Sequence, residues 1–248
     1  MTVRTLTLLL ALGAGVACAD GAKEAQALFE ATEAKLAAAK SITAEFTSTM
    51  GPPGQQLEFT GQLLLAEGNT LKFEIKGAGP DGQPLNLAMT SNGTTTRTTE
   101  EESGRSNSND RPTPENLGAL MRGALSSFSV VGPVFLLGPA SNDDEKPFQT
   151  TNFALGAKEQ EGERVLQVVE FDTSAGGQNF HIKLWIDTVS GLPYKRVIDR
   201  GEQKAAIQET VTSLKLDAEI PADAFKLLRL EGEGEKTPEH PPTPKPAK

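Results

Sequence analysis

The sequence predicts an α+β fold, built from an antiparallel sheet, an N-terminal helix and a central helical segment. Three observations lead to this prediction. First, residues 21–40 are rich in Ala, Glu and Lys and place apolar residues at helical spacing. Second, two long stretches alternate apolar and polar residues between short turns. Third, residues 114–137 again place apolar residues at helical spacing. Alternation with a period of two is typical of strands with one dry face, and local turns between such strands favour antiparallel pairing.

The first nineteen residues are predicted to be a secretory signal peptide. Arg4 is their only charged residue, and residues 6–16 form an almost wholly apolar run that is too short to span a bilayer as a helix. Ala17-Cys18-Ala19 then gives an A-x-A cleavage pattern before Asp20. We therefore expect export, cleavage between Ala19 and Asp20, and a single mature domain over residues 20–230.

Cys18 is the only cysteine of the 248 residues, and it leaves a second interpretation of the leader open. Residues 15–18 partly resemble a bacterial lipoprotein signal, in which a lipid is attached to the cysteine thiol. Gly15 stands where such signals usually have Leu, which favours cleavage after Ala19 over lipidation. On either interpretation no disulfide can form within the chain, so packing must supply its stability.

The predicted sheet has two halves. Turn signals such as Gly68-Asn69 and Asn92-Gly93 divide the first half, and the polar residues 100–112 are predicted to form a loop at its end. In the second half Gly191-Leu192-Pro193 separates two alternating runs, and residues 220–225 predict a closing turn that buries Phe225. The predicted strands are residues 43–50, 57–65, 71–76, 85–89, 165–171, 180–187, 194–200 and 205–216.

The central segment predicts two short helices separated by Gly132-Pro133. We place Thr113 as the N-cap and Pro114 in the first turn, because six apolar residues follow at helical spacing. A sheet with one dry face must cover that face. Two arrangements satisfy this requirement: the helices complete a closed α+β core, or they form a lid over a hydrophobic cavity, with the glycines in and around the segment as its flexible points.

The residue types that most enzymes need are scarce. His181 and His240 are the only histidines; we expect His181 to be a solvated or edge histidine of its strand, and His240 lies in the tail. No cluster has metal-ligand spacing, no G-x-S-x-G motif occurs, and the formal net charge of -9 argues against nucleic acid as a ligand. We therefore predict a non-enzymatic protein with no cofactor and no metal. Residues 231–248, rich in Pro, Glu and Lys, are predicted to be a disordered tail because they have no large apolar residue to bury.

The order of elements resembles that of the LolA/LolB family of lipoprotein carriers. Leu184-Trp185-Ile186-Asp187 with Gly191-Leu192-Pro193 resembles the family's LWID…TGLP hairpin, and Ile220-Pro221 with Phe225 resembles its closing IP…F. Two shorter matches are Lys72-Phe73-Glu74 and Asn92-Gly93. The resemblance extends as a pattern over residues 21–230.

This resemblance implies an incomplete β-barrel whose concave face holds acyl chains beneath a helical lid. It also implies carriage of lipid-modified proteins through the periplasm. Two differences from the family concern the cargo more than the fold: Ala66-Glu67 stands where the family often has Arg-Pro, and the chain has a single Trp and a single Tyr where family cavities are rich in aromatic residues.

Together with the alternation, the resemblance implies a set of cavity residues and a set of lid residues. The cavity residues are Phe59, Leu63, Leu71, Phe73, Ile75, Leu85, Leu87, Met89, Phe180, Ile182 and Leu184. The lid residues are Leu117, Leu120, Met121, Leu125 and Phe128. Trp185, next to Lys183, is expected on the outer face of its strand.

The function that these features favour is that of an exported carrier for lipid acyl chains or lipoproteins in the cell envelope. Its expected partners are those acyl chains or lipoproteins, together with envelope proteins of the inner or outer membrane, and we expect a monomer. Two alternatives stay open. One is an envelope stress-sensing or interaction module of the same fold, and the other is a membrane-anchored lipoprotein lipidated at Cys18.

The leader prediction is tested by the intact mass of the protein exported by a bacterial host. We expect a chain that begins at Asp20, because the A-x-A pattern ends at Ala19. A mass that corresponds to a chain beginning at Cys18 and carrying a lipid would contradict this expectation and support a membrane-anchored lipoprotein.

Overall fold

The computed structural model describes residues 14–52, 55–79, 82–102, 105–118, 121, 149–175, 178–201 and 203–227. Predictions for residues 1–13, for most of the central segment and for the tail fall outside these residues. The described elements are α1 (Ala14–Ala38), β1 (Ser41–Met50), β2 (Leu57–Ala66), β3 (Thr70–Ala78), β4 (Pro84–Asn92), β5 (Thr95–Glu102), β6 (Arg105–Pro112), β7 (Gln149–Glu161), β8 (Arg164–Ala175), β9 (Gln178–Asp187), β10 (Pro193–Arg200), β11 (Gln203–Leu216) and a 3-10 helix η1 (Ala222–Phe225).

All strands of the described residues belong to one 11-stranded antiparallel sheet, in the order β6-β5-β4-β3-β2-β1-β11-β10-β9-β8-β7. Each half is a meander, and the pairing of β1 with β11 joins the two halves from Ile42↔Leu216 to Met50↔Ile207. The strands at the two ends of this order, β6 and β7, do not pair with each other, so the sheet is not closed. The predicted α+β class and incomplete barrel are confirmed.

The prediction of a loop over residues 100–112 was wrong, because β5 and β6 form a hairpin there. Apart from Pro112, its strands are made of Thr, Ser, Asn and charged residues, so they show no hydrophobic alternation. Thr favours extended backbone although it is polar. Arg97 Nε and Nη2 donate to the two carboxylate oxygens of Asp110 across the hairpin, at 2.7 and 2.8 Å.

Strand β7 was not among the predicted strands. Its pairing with β8 shifts register between Thr151 and Ala154 and again between Leu155 and Lys158. Each bulge inserts unpaired residues and breaks the two-residue period that sequence reasoning depends on.

Helix α1 lies against one face of the sheet, which we call the inner face. The side chains that it buries are spaced by four and three residues in turn: Ala25, Phe29, Thr32, Leu36 and Ala39, the last just beyond the helix end. Such spacing places them on one side of a helix. The helix includes the predicted cleavage position before Asp20, and the cleavage itself stays a prediction. Within the described residues, no helix combines the length and the apolarity needed to cross a bilayer.

The inner face carries two apolar clusters. The first inner cluster is formed by β1 to β4 with Leu36 and Ala39, and the second inner cluster by β8 to β10 with Ala25 and Phe29. Because α1 contributes to both, it connects the two halves of the sheet. In the second inner cluster the ring centroids of Phe29 and Phe171 are 4.8 Å apart, a separation typical of favourable aromatic pairs.

The hairpin between β9 and β10 contains the LWID…GLP motif. Val189 N and Ser190 N both donate to Asp187 Oδ1, at 2.9 and 2.7 Å, which fixes the turn. The hydrogen bond from the backbone amide of Ser190 is the main reason why the pKa of Asp187 lies below its usual value. Trp185 lies on the outer face, as predicted, in a separate small cluster with Leu166 and Val168.

Phe225 is buried, as the closing turn predicted. It ends η1, which packs against β3 and β4. Lys226 N donates to Asp223 O and completes the turn.

Gly61 offers a test of the packing on the inner face. A Cβ built at this residue would lie 2.0 Å from Cζ of Phe46. The Phe46 ring is nearly parallel to the Phe73 ring, with 6.1 Å between the two ring centroids. We expect Gly61→Ala to lower the free energy of unfolding by about 1–3 kcal/mol, because the ring must move within a packed cluster.

Equilibrium unfolding in urea measures this effect, with Gly79→Ala as the control. A Cβ at Gly79 meets only Gln83 O at 3.7 Å, an ordinary contact. Equal stabilities of the two variants would show that Phe46 does not occupy the space above Gly61.

Candidate functional site: the inner face of the sheet

The structure places all eleven predicted cavity residues on the inner face, in two groups. The eight from β2, β3 and β4 belong to the first inner cluster, and the three from β9 belong to the second. Nine of the eleven are buried, and Leu85 and Phe180 are partly buried. In this conformation the chain itself covers the predicted cavity.

Two of the predicted lid residues belong to the first inner cluster. Leu117 and Met121 are fully buried and pack with residues of β2, β3 and β4. The remaining predicted lid residues, Leu120, Leu125 and Phe128, lie outside the described residues. Leu117 and Met121 are therefore both part of the apolar core of the first half of the sheet.

Asn69, in the turn between β2 and β3, holds the start of the central segment. Its Nδ2 donates to Glu115 O at 2.7 Å, and Gly118 N donates to its Oδ1 at 3.1 Å. The backbone of Asn69 has a φ of 58°, a conformation that Asn tolerates better than most residues. Sequence analysis identified Asn69 only as a turn residue, because its two partners lie 46 and 49 residues further along the chain.

A group of hydroxyls lies beside this anchor. Ser91 Oγ donates to Asn69 O at 2.8 Å and lies 2.8 Å from Thr113 Oγ1, which is 3.0 Å from Thr96 Oγ1. Thr113 N also donates to Thr94 O at 2.9 Å. The residue predicted as an N-cap thus ties the end of β6 to β4 and β5.

A row of polar side chains crosses the inner face where the two meanders meet. Ser48 of β1 is opposite Glu209 of β11, and Glu209 is opposite Arg196 of β10. These three residues share the face of Phe46 and Ile198, which belong to the first and the second inner cluster. We call Ser48, Glu209 and Arg196 the polar row.

The ion pair of the polar row is buried. Arg196 Nε donates to Glu209 Oε2, and the two side chains are only 5% and 2% exposed. Burying two charges carries a large desolvation cost, which a close, hydrogen-bonded pair offsets. Sequence analysis missed the pair, although placing Ile198 in the core also places Arg196 there by strand alternation.

The outer face of β8 and β9 carries a second group of charges, around His181. Its Nδ1 lies 2.8 Å from Asp172 Oδ1, and its Nε2 lies 3.3 Å from Glu170 Oε2. Asn152 Nδ2 donates to Asp172 Oδ2, and this bond is the main cause that lowers the pKa of Asp172. The described residues contain no group of three or more His, Cys, Asp or Glu side chains arranged to hold a metal ion.

An open groove of about 610 Å³ lies beside η1. It is lined by Thr70, Asn92, Ala222, Phe225, Lys226 and Leu227. None of these belongs to the predicted cavity or lid, so the groove is separate from the site that the sequence indicated.

No family model and no curated protein matches the sequence. Among solved structures the chain is similar to LprF from Mycobacterium bovis, with 13% identity, a TM-score of 0.46, and a match that covers 81% of this chain and 96% of that one. It is also similar to the MucA/MucB complex of Pseudomonas aeruginosa, with 13% identity, a TM-score of 0.39 and coverage of 82% and 61%. A third similar structure is a Vibrio parahaemolyticus domain provisionally described as an outer membrane lipoprotein-sorting protein, with 10% identity, a TM-score of 0.34 and coverage of 85% and 96%.

With identities this low and TM-scores this small, no residue role and no ligand is transferred from these proteins to this chain. The fold class itself follows from the strand order and register of this chain.

The buried ion pair predicts a strong dependence of stability on Glu209. Glu209→Gln removes the negative charge that faces Arg196, and we expect it to lower the free energy of unfolding by about 3–5 kcal/mol. The double variant Arg196→Met/Glu209→Leu removes both charges and should recover most of this loss.

Urea unfolding of these variants is compared with that of Asp110→Asn, which weakens an ion pair whose carboxylate side chain is 44% exposed. We expect this control to cost no more than about 1 kcal/mol. A Glu209→Gln protein as stable as the control would mean that the polar row is solvated.

Proposed function

We propose that this protein is an exported, non-enzymatic carrier that binds lipid acyl chains or lipoproteins on the inner face of its sheet, in the cell envelope. The observation that supports this proposal most directly is the position of Leu117 and Met121. Both belong to the segment predicted as a lid, and both pack on residues predicted to line the cavity.

The chemistry of the inner face suits an acyl chain. The first inner cluster, to which Leu117 and Met121 belong, consists of aliphatic and aromatic side chains, among them Leu63, Phe73 and Met89. An acyl chain that replaced the two lid residues would keep these side chains in an apolar environment. Because burial of one such lid side chain contributes roughly 1.5–3 kcal/mol, its loss on opening is of a size that a bound acyl chain can offset.

Export supports the envelope location in this proposal. The predicted leader, with its cleavage before Asp20, would deliver the domain to the periplasm. A carrier there would meet proteins of the inner or the outer membrane as partners that deliver or accept its cargo.

One observation favours a second candidate function, an envelope stress-sensing or interaction module of the same fold. Nine of the eleven predicted cavity residues are already buried by the chain itself. A module that recognises a partner protein has no need of an open cavity, and its inner face would serve only as a core.

Binding of a fluorescent acyl ester by the mature protein, measured together with urea unfolding, tests the carrier. We expect the wild-type protein to bind the probe. We expect Leu117→Ser/Met121→Ser to change this binding more than it changes global stability, because a lid must open under native conditions.

The control is Leu36→Ser, a fully buried residue of the same cluster that α1 contributes. This change opens a cavity and buries a hydroxyl in the core, so it should cost several kcal/mol of stability, about 2–5 for the lost volume alone. A wild-type protein that binds no acyl probe, with lid variants that unfold like the control, would support the interaction module instead.

A further inference from the structure

We propose that Ser48, within the polar row, is the subsite that binds the carbonyl oxygen of an acyl ester, whose chains extend from it along the inner face. The inference rests on the proposed carrier function and specifies its ligand class. It identifies a residue that determines specificity, in a face otherwise suited to hydrocarbon.

The hydroxyl of Ser48 is a buried polar group that is available to bond a ligand. Only 2% of the surface of Ser48 is exposed to solvent, and within the described part of the chain its Oγ has no hydrogen-bond partner. A buried hydroxyl without a partner destabilises a folded protein. Because this hydroxyl makes no hydrogen bond within the described residues, its removal breaks none there.

The register places Ser48 at the boundary between the two apolar clusters. On one side it is opposite Phe59 of β2, which belongs to the first inner cluster. On the other side the row continues through Glu209 to Arg196, and Arg196 is opposite Leu184 of the second inner cluster. An amphiphile with oxygen atoms between its hydrocarbon parts matches this order of apolar, polar and apolar surface.

The charges of the row favour an uncharged oxygen. Arg196 donates to Glu209, so the positive charge is compensated within the row. A phosphate or a free carboxylate would bring a further negative charge close to Glu209 in a buried environment, which is unfavourable. An ester carbonyl accepts a hydrogen bond from Ser48 without adding a charge.

Displacement of a fluorescent acyl probe from the mature protein tests the inference. The two competitors are 1,2-dioctanoylglycerol and its dioctyl ether analogue, which has the same chain length and no carbonyl oxygen. We expect the wild-type protein to prefer the ester roughly two- to tenfold, the value of one hydrogen bond, and Ser48→Ala to abolish the preference. Ser48→Ala should leave the melting temperature of the ligand-free protein unchanged or raised.

Thr173→Val is the matched control. Thr173 is likewise buried, and its Oγ1 also has no partner among the described residues, but it lies on β8, opposite Phe180. This variant should keep the preference for the ester. A synthetic lipopeptide with a diacylglyceryl group serves as a third competitor and shows whether the ester of a lipoprotein is bound as well as that of a free glyceride. The inference is supported if the lipopeptide or the diacylglycerol binds more tightly than the ether analogue.

The outcomes separate this inference from the carrier function. Equal binding of ester and ether by a wild-type protein that binds the probe would overturn the role of Ser48 and leave the carrier standing. Loss of ester preference in Thr173→Val as well, or a less stable ligand-free Ser48→Ala protein, would also overturn it. Absence of any probe binding would overturn both.

Discussion

The antiparallel pairing of β1 with β11 is the constraint on which the rest of the structure depends. It joins a meander that begins at Ser41 to one that ends at Leu216, and so makes one sheet of two halves. Without it, each inner cluster would have an open edge beside β1 or β11. Such long-range pairing carries a large loop-closure cost, and the apolar stripe of α1, which packs on both halves, offsets part of it.

The same pairing places a polar row in the middle of an apolar face. Glu209 and Arg196 satisfy each other there, whereas the hydroxyl of Ser48 has no partner within the described residues. An entirely apolar row would avoid the desolvation of two charges and the cost of that hydroxyl. Features that lower stability without an evident structural return are expected at functional sites, which is why the row, rather than the better-packed clusters around it, supports a specific ligand chemistry.

The sequence predicted the fold well where strands alternate and turns are local, as between Leu71 and Asn92. It failed at β5 and β6, whose polar residues carry no hydrophobic period, and at β7, where bulges break that period. The candidate site was predictable only in part. The faces of Leu63 or Leu184 follow from alternation, but the meeting of Ser48 with Glu209 depends on a register between strands some 160 residues apart, and no local pattern records it.

The attachment of the central segment determines how the proposed carrier would have to open its inner face. Thr113 is bound to Ser91 and Thr96 by partly buried hydroxyl contacts, whereas the bond from Asn69 to Glu115 is exposed to water, which competes for it. Gly118 N also donates to Asn69 Oδ1, and the side chains of Leu117 and Met121 are buried in the first inner cluster. Apolar contacts have no preferred direction, so an acyl chain can replace those of the two side chains without matching their geometry. For the proposed carrier we therefore expect the segment to pivot after Thr113, which breaks the two bonds to Asn69 and leaves β4, β5 and β6 unchanged while an acyl chain takes the place of Leu117 and Met121.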